Sequence, residues 1–159
     1  MFEGRRAMLI DGVVLEEGQM NPSHAVTLGL VDNVLHDVFG PGWRIRCQSP
    51  LVLGLDVDPK PDSMVIAGSP RGTDHPTTAD LVVEVADSSL AFDTEEKRLI
   101  YATAGIREYW VVDVSGRRLL VYRDPRAGDY ATHQVYGSGE SVSLLAVPTA
   151  RVKVAELLI

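Results

Sequence analysis

The run Leu81-Val82-Val83-Glu84-Val85 constrains the fold more than any other stretch of this chain. Its nearly continuous β-branched and aliphatic character, bounded by Asp80 and Asp87, predicts a strand covered on both faces, as in a parallel sheet. FDTEEKRLIYATAG follows and reads as a helix. Asp93 with Glu96 three residues on has the form of a capping box, Leu99, Ile100, Ala102 and Thr103 lie along the later turns, and Gly105 supplies a positive-φ stop. YWVVDV is the next apolar strand, so the order strand, helical crossover, strand predicts a βαβ unit with neighbouring parallel strands. A carboxylate in the middle of the first strand then needs a reason. Burying it ionised costs several kcal/mol unless it is paired or binds a metal.

The remaining segments fill in an α+β arrangement around one mixed sheet. MLIDGVVLEEG predicts an N-terminal hairpin turning at Asp11-Gly12. A helix is expected from Asn21 or Ser23 as cap, with Pro22 in its first turn and an apolar stripe of Val26, Leu30, Val31, Val34, Leu35 and Phe39, ended by Gly40-Pro41-Gly42. WRIRCQSPLVLGLDV and PDSMVIAG have strand character, and GSPRGTDHPTT reads as an exposed loop. REYWVVDVSGRRLLVYRD predicts a hairpin at Ser115-Gly116, short strands continue through YATHQVYGSGESVSLL, and ARVKVAELLI reads as a strand end or a short helix. No repeat, low-complexity tract or linker divides the 159 residues, so one domain over 1–159 is expected.

Composition narrows the function classes. The apolar fraction, 45%, is enough for a sizeable core, while no apolar run approaches the roughly 20 residues of a membrane helix. The N-terminus lacks a signal-peptide pattern, which predicts a cytoplasmic protein with no membrane partner. The single cysteine, Cys47, offers no internal disulfide and no zinc spacing with the histidines, and is expected to be a small buried hydrophobe. A net charge of −7 argues against binding nucleic acid through general basicity. Contact with DNA would need a local patch or a bridging metal. Arg44, Arg46, Arg71, Arg117, Arg118 and Arg123 are the arginines available for such a patch, although solvated strand and loop faces account for them more simply.

Several residues are candidates to stabilise Glu84. Asp62 opens the strand PDSMVIAG, Lys97 lies early in the following helix, Asp80 shares the strand face of Glu84, and Gln48 ends a preceding strand. Two carboxylates and an amine at one end of a sheet can hold Mg²⁺, activate water and stabilise developing charge in phosphodiester hydrolysis. Two plainer readings account for the same residues: Glu84 exposed on an edge strand, or Glu84 and Lys97 as a structural ion pair. Pro61-Asp62 equally suits a turn, His24 suits a helix cap or surface position, and Tyr101, Tyr109 and Trp110 suit packing.

The succession LIDGVVLEEGQMNPSHAVTLGLV, KPDSMVIAGSP and ADLVVEVADSSLAFDTEEKRLIYATAGIREYWVVDVSGRRLLVYR closely resembles the Uma-two family of restriction-endonuclease-like proteins across nearly the whole chain. The resemblance implies a restriction-endonuclease-like core of the PD-(D/E)xK kind and Mg²⁺-dependent cleavage of DNA, with Mn²⁺ as an alternative metal. It assigns Asp62 and Glu84 to the two acid positions and Lys97 to a lysine supplied from the next helix, with the Val85 carbonyl completing the metal coordination. His24 matches a histidine with at most an auxiliary role. The chain departs from the pattern at Ala86, where the usual spacing has lysine, and at Met8, where a glutamate is common. The competing expectation is a catalytically inactive homodimeric binding or assembly module on the same fold, associating through the Tyr109-Trp110 region or the N-terminal hairpins.

Overall fold

The computed structural model describes residues 6–10, 13–17, 21–54 and 56–159, with the main chain alone at 6–10, 13–17 and 57. Two N-terminal strands, β1 (Arg6–Ile10) and β2 (Val13–Glu17), pair antiparallel, and β1 also pairs with the two-residue β4 (Val57–Asp58). The expected turn residues, Asp11 and Gly12, lie outside the described residues.

Helix α1 (Pro22–Val38) begins where the sequence predicts, with Asn21 Oδ1 accepting from the His24 N–H at 2.8 Å. Its inward face keeps most of the expected stripe, with Thr27 added and Val26 left out. Thr27, Val31, Val34, Leu35 and Phe39 are buried, whereas Val26 is 53% exposed.

The main sheet has six strands in the order β3-β5-β6-β7-β8-β9. These are β3 (Trp43–Cys47), β5 (Ser63–Ala67), β6 (Leu81–Ala86), β7 (Glu108–Asp113), β8 (Arg118–Arg126) and β9 (Asp129–Gly137). All neighbours are antiparallel except β6 and β7, which run parallel with Glu84 opposite Val111. The expected βαβ unit is therefore present, and every residue of β6 and β7 is buried. The β7–β8 hairpin turns at Ser115-Gly116, where Asp113 Oδ1 accepts from the Gly116 N–H at 3.0 Å. The C-terminal segment contains both expected forms: β10 (Ser141–Ser143) pairs with β11 (Arg151–Lys153), and a 3₁₀ turn covers Val154–Leu157.

Pleating of the central strands divides the core in two. On one face, Val65, Leu81, Val83, Val85, Trp110 and Val112 pack with α1 and the C-terminal segment. On the other, Met64, Ile66, Val82, Ala86, Tyr109 and Val111 pack with Tyr101 and Ala102.

The crossover between β6 and β7 is two helices, α2 (Leu90–Thr94) and α3 (Glu96–Thr103), joined at Glu95. The predicted capping box is not formed. Ser89 stands at the start of α2, and Asp93 is inside that helix and buried, accepting from Ser89 Oγ at 2.7 Å. Of its residues Lys97, Tyr101 and Ala102 are buried, while Leu99 is 42% exposed. An apolar helix face would have left Glu84 without partners, so here polar complementarity overrides hydrophobic periodicity. Gly105 stops the helix at φ 78°, as expected.

Two further expectations fail on burial. Cys47 is exposed at the end of the edge strand β3, with its Sγ 3.4 Å from Asp32 Oδ1 of α1. Tyr109 and Trp110 are wholly buried, so their side chains cannot form the contact suggested for a second subunit. Among the described residues no helix is long and apolar enough to cross a membrane.

Candidate active site

Strands β5 and β6 pair in register only from Val65 opposite Leu81 to Ser63 opposite Val83. Beyond that point side chains extend the ladder. The Asp62 N–H donates to Glu84 Oε1 at 2.9 Å, and the Val85 N–H donates to Asp62 Oδ2 at 2.8 Å. The two acids thus occupy consecutive positions at the opening of the sheet, each held by the other's strand. Both are buried, Asp62 at 2% exposure and Glu84 at 0%.

The helical crossover brings the counter-charge. Lys97 Nζ lies 3.2 Å from Glu84 Oε2 and 3.1 Å from Asp93 Oδ1, and Tyr101 Oη donates to Glu84 Oε2 at 2.8 Å. Asp93, Lys97 and Tyr101 are spaced four apart, so they follow one side of the crossover and face the sheet together. From the opposite side of the sheet, His24 of α1 places Nε2 3.2 Å from Asp62 Oδ2. The Gln48 N–H donates to the Pro61 and Asp62 carbonyls at 3.0 and 3.2 Å, with the Gln48 backbone in the left-handed region at φ 54°.

The electrostatics follow from the low exposure. Burial pushes the Glu84 carboxyl up to about 8; Lys97 opposes that rise, while Asp62 and Asp93 reinforce it. Burial also raises Asp93, against the pull of Lys97. Tyr101 is held well above the usual phenol range by burial and by the adjacent Glu84, so it stays a hydrogen-bond donor. Glu84 and Asp93 therefore share one lysine ammonium, while His24 lies against Asp62.

The structure brings together Asp62, Glu84, Lys97 and the Val85 backbone. It does not bring Asp80, whose Oδ2 accepts from the Ala67 N–H at 3.1 Å toward the other end of β5. The edge-strand reading of Glu84 fails, since β6 lies inside the sheet. Sequence reasoning missed Asp93, taken for a cap, underrated Tyr101, taken for packing, and gave His24 a cap or surface place with at most an auxiliary role. The Asp-x₃-Lys-x₃-Tyr spacing was the available signal, because a polar residue at every fourth position of a helix beside a buried glutamate marks a shared face.

The donors suit a hard divalent cation. Asp62, Glu84 and a main-chain carbonyl offer only oxygen, and the repulsion from Asp62 and Asp93 that adds to the effect of burial on Glu84 is what such an ion would relieve. Among the described residues no group of three or more His, Cys, Asp and Glu side chains forms a metal cage. An ion held here would rely on few protein ligands and keep water, as Mg²⁺ commonly does.

Comparison with known proteins agrees with this architecture. A crystal structure described as "a putative nuclease belonging to DUF820", from Anabaena variabilis ATCC 29413, superposes with a TM-score of 0.77, covering 95% of this chain and 88% of the other at 18% identity. At that identity the likeness establishes a shared fold. No significant match was found among curated proteins. The family model Uma2, described as "Putative restriction endonuclease", matches residues 1–155, and the chain belongs to that family.

Proposed function

We propose that the protein is a divalent-metal-dependent nuclease that hydrolyses DNA phosphodiester bonds. The family and the fold support a restriction-endonuclease-like nuclease at the coarse level. The observation that carries the finer reading is the convergence of Asp62, Glu84 and Lys97: a wholly buried glutamate, hydrogen-bonded to the strand of a second acid and 3.2 Å from an ammonium. In this reading Asp62, Glu84 and the Val85 carbonyl hold Mg²⁺, with Mn²⁺ as a substitute. Bound there, the ion would supply an activated water and neutralise charge on the phosphoryl group.

The chain's own residues do the positioning. Lys97 is a donor only, so it orients the attacking water and stabilises negative charge as it develops on the phosphate oxygens. Asp93 holds the ammonium in place through its 3.1 Å contact, and Tyr101 locks the Glu84 carboxylate by its hydrogen bond. His24 steadies Asp62 from α1.

Plasmid nicking in Mg²⁺ tests the reading. Asp62→Asn, Glu84→Gln and Lys97→Met should each lower the rate about a hundredfold or more, the scale of losing one charge-stabilising group, and EDTA should stop cleavage by the unaltered protein. Equal nicking by wild type and Glu84→Gln, or nicking undiminished in EDTA, rejects it.

A further inference from the structure

Among the described residues, Arg107, Arg117 and Arg151 make no ion pair and lie apart from one another in the chain; the other arginines divide by partner and place. Arg98, Arg118, Arg123 and Arg126 contact Asp129, Asp113, Glu108 and Asp124 respectively. Arg44, Arg46 and Arg71 make no ion pair with any carboxylate among the described residues. These three lie close together. Arg44 and Arg46 are alternate residues of β3, opposite Ile66 and Met64, and so belong to the sheet face that carries Asp62 and Glu84. The turn bearing Arg71 is laid against them. Arg46 Nη2 donates to the Gly72 carbonyl, and the Arg44 guanidinium lies so near Gly72 that a Cβ there would stand 2.6 Å from Nη1. A side chain at 72 would push the Arg44 guanidinium aside. Arg44 Nε is buried and has no hydrogen-bond partner.

Three like charges gathered without an acid are unfavourable, and more surprising in a chain of net charge −7. An anionic ligand would remove the cost. The cluster also points along a useful direction. Gln48 lies beside Asp62, and Arg46 and Arg44 follow on the same strand face at intervals of about 6.6 Å. That spacing resembles the interval between successive phosphates on one nucleic-acid strand. Guanidinium groups suit such ligands because their planar donors match phosphate oxygens.

We propose that Arg44, Arg46 and Arg71 form a track for the DNA backbone, seating the phosphates that flank the bond presented to Asp62 and Glu84. The inference names the substrate contacts of the site and rests on the nuclease reading, but binding tests it separately from cleavage.

The measurement is the anisotropy of a fluorescein-labelled DNA duplex titrated with the full chain in EDTA across a salt series. Arg46→Gln and Arg71→Gln should each weaken binding about tenfold, the loss of one charge-assisted hydrogen bond, and lower the slope of log K against log salt by about 0.9 each. Arg126→Gln and Arg151→Gln remove the same charge elsewhere and should bind like wild type. Wild-type affinity in Arg46→Gln and Arg71→Gln overturns the track. So does equal weakening by the two control variants, or no binding by wild type. Arg46 also secures the turn at Gly72; should thermal melting show that its variant does not fold, Arg71→Gln alone decides, since that residue is exposed. Selective loss of binding in a protein that never cleaves keeps the track and rejects the nuclease reading, whereas Mg²⁺-dependent cleavage with unchanged binding in these variants does the reverse.

Discussion

At the residue scale, Glu84 is the group on which the site turns. Its carboxyl rises from 4.5 to about 8 because burial, Asp62 and Asp93 together outweigh Lys97. The folded state therefore holds this proton more tightly than the unfolded chain. The contribution of Glu84 to stability is fully present below pH 4.5 and is lost as pH rises toward about 8. Glu84→Gln mimics the protonated form, so relative to wild type it should gain stability across that window by a few kcal/mol. Urea unfolding of both proteins at several pH values checks this, and parallel curves would contradict it. Tyr101→Phe removes the phenol donor but keeps the ring in its core position. It should cost about 1–3 kcal/mol where Glu84 is ionised, because a buried acceptor loses a partner. The loss should shrink at pH 4.5, where the carboxyl is protonated.

At the element scale, the site depends on two helices entering the sheet at the correct depth. Asn21 caps α1 through the His24 N–H, and its Nδ2 donates to Asp87 Oδ2 just beyond β6 at 2.8 Å. The cap thus ties the helix start to the end of the strand that carries Glu84. Asn21→Ala should destabilise the protein by about 1 kcal/mol, read from the urea midpoint at constant m value. Asn21→Ser, which keeps the cap acceptor, should recover most of that loss. The break at Glu95 matters similarly. It divides the crossover into α2 and α3, so that Asp93 at the end of one and Lys97 at the start of the other meet at 3.1 Å over the sheet.

At the scale of the whole molecule, charge is distributed unevenly. Acids gather at the opening of β5 and β6, and arginines without acid partners lie along β3. A second buried network binds the far side of the sheet: Glu108 accepts from Trp110 Nε1 at 2.9 Å, from Arg123 Nε at 2.8 Å and from the Leu145 N–H at 3.0 Å. Removing an ammonium or adding a cation should therefore act locally on the first region. Mg²⁺ or Mn²⁺ at a hundred times its dissociation constant should raise stability by about 2.7 kcal/mol, seen as a higher melting temperature. The shift should vanish in Asp62→Asn and grow with pH toward about 8, as Glu84 loses its proton. An equal shift in Asp62→Asn would locate the ion elsewhere. Much of the fold was legible in the sequence: continuous apolar runs marked β6 and β7, Asn21-Pro22 and Gly105 marked helix ends, and the Pro-Asp and Glu-Val segments marked two acids. Those features are local, set by backbone propensity and by the cost of exposing apolar side chains. The tertiary structure alone decided which face of the crossover turned inward, that Asp93 and His24 joined the two acids, and which arginines lacked an acid. The reason is physical: a buried charge is stabilised by groups distant in sequence, and only packing determines which of them arrive within hydrogen-bonding distance.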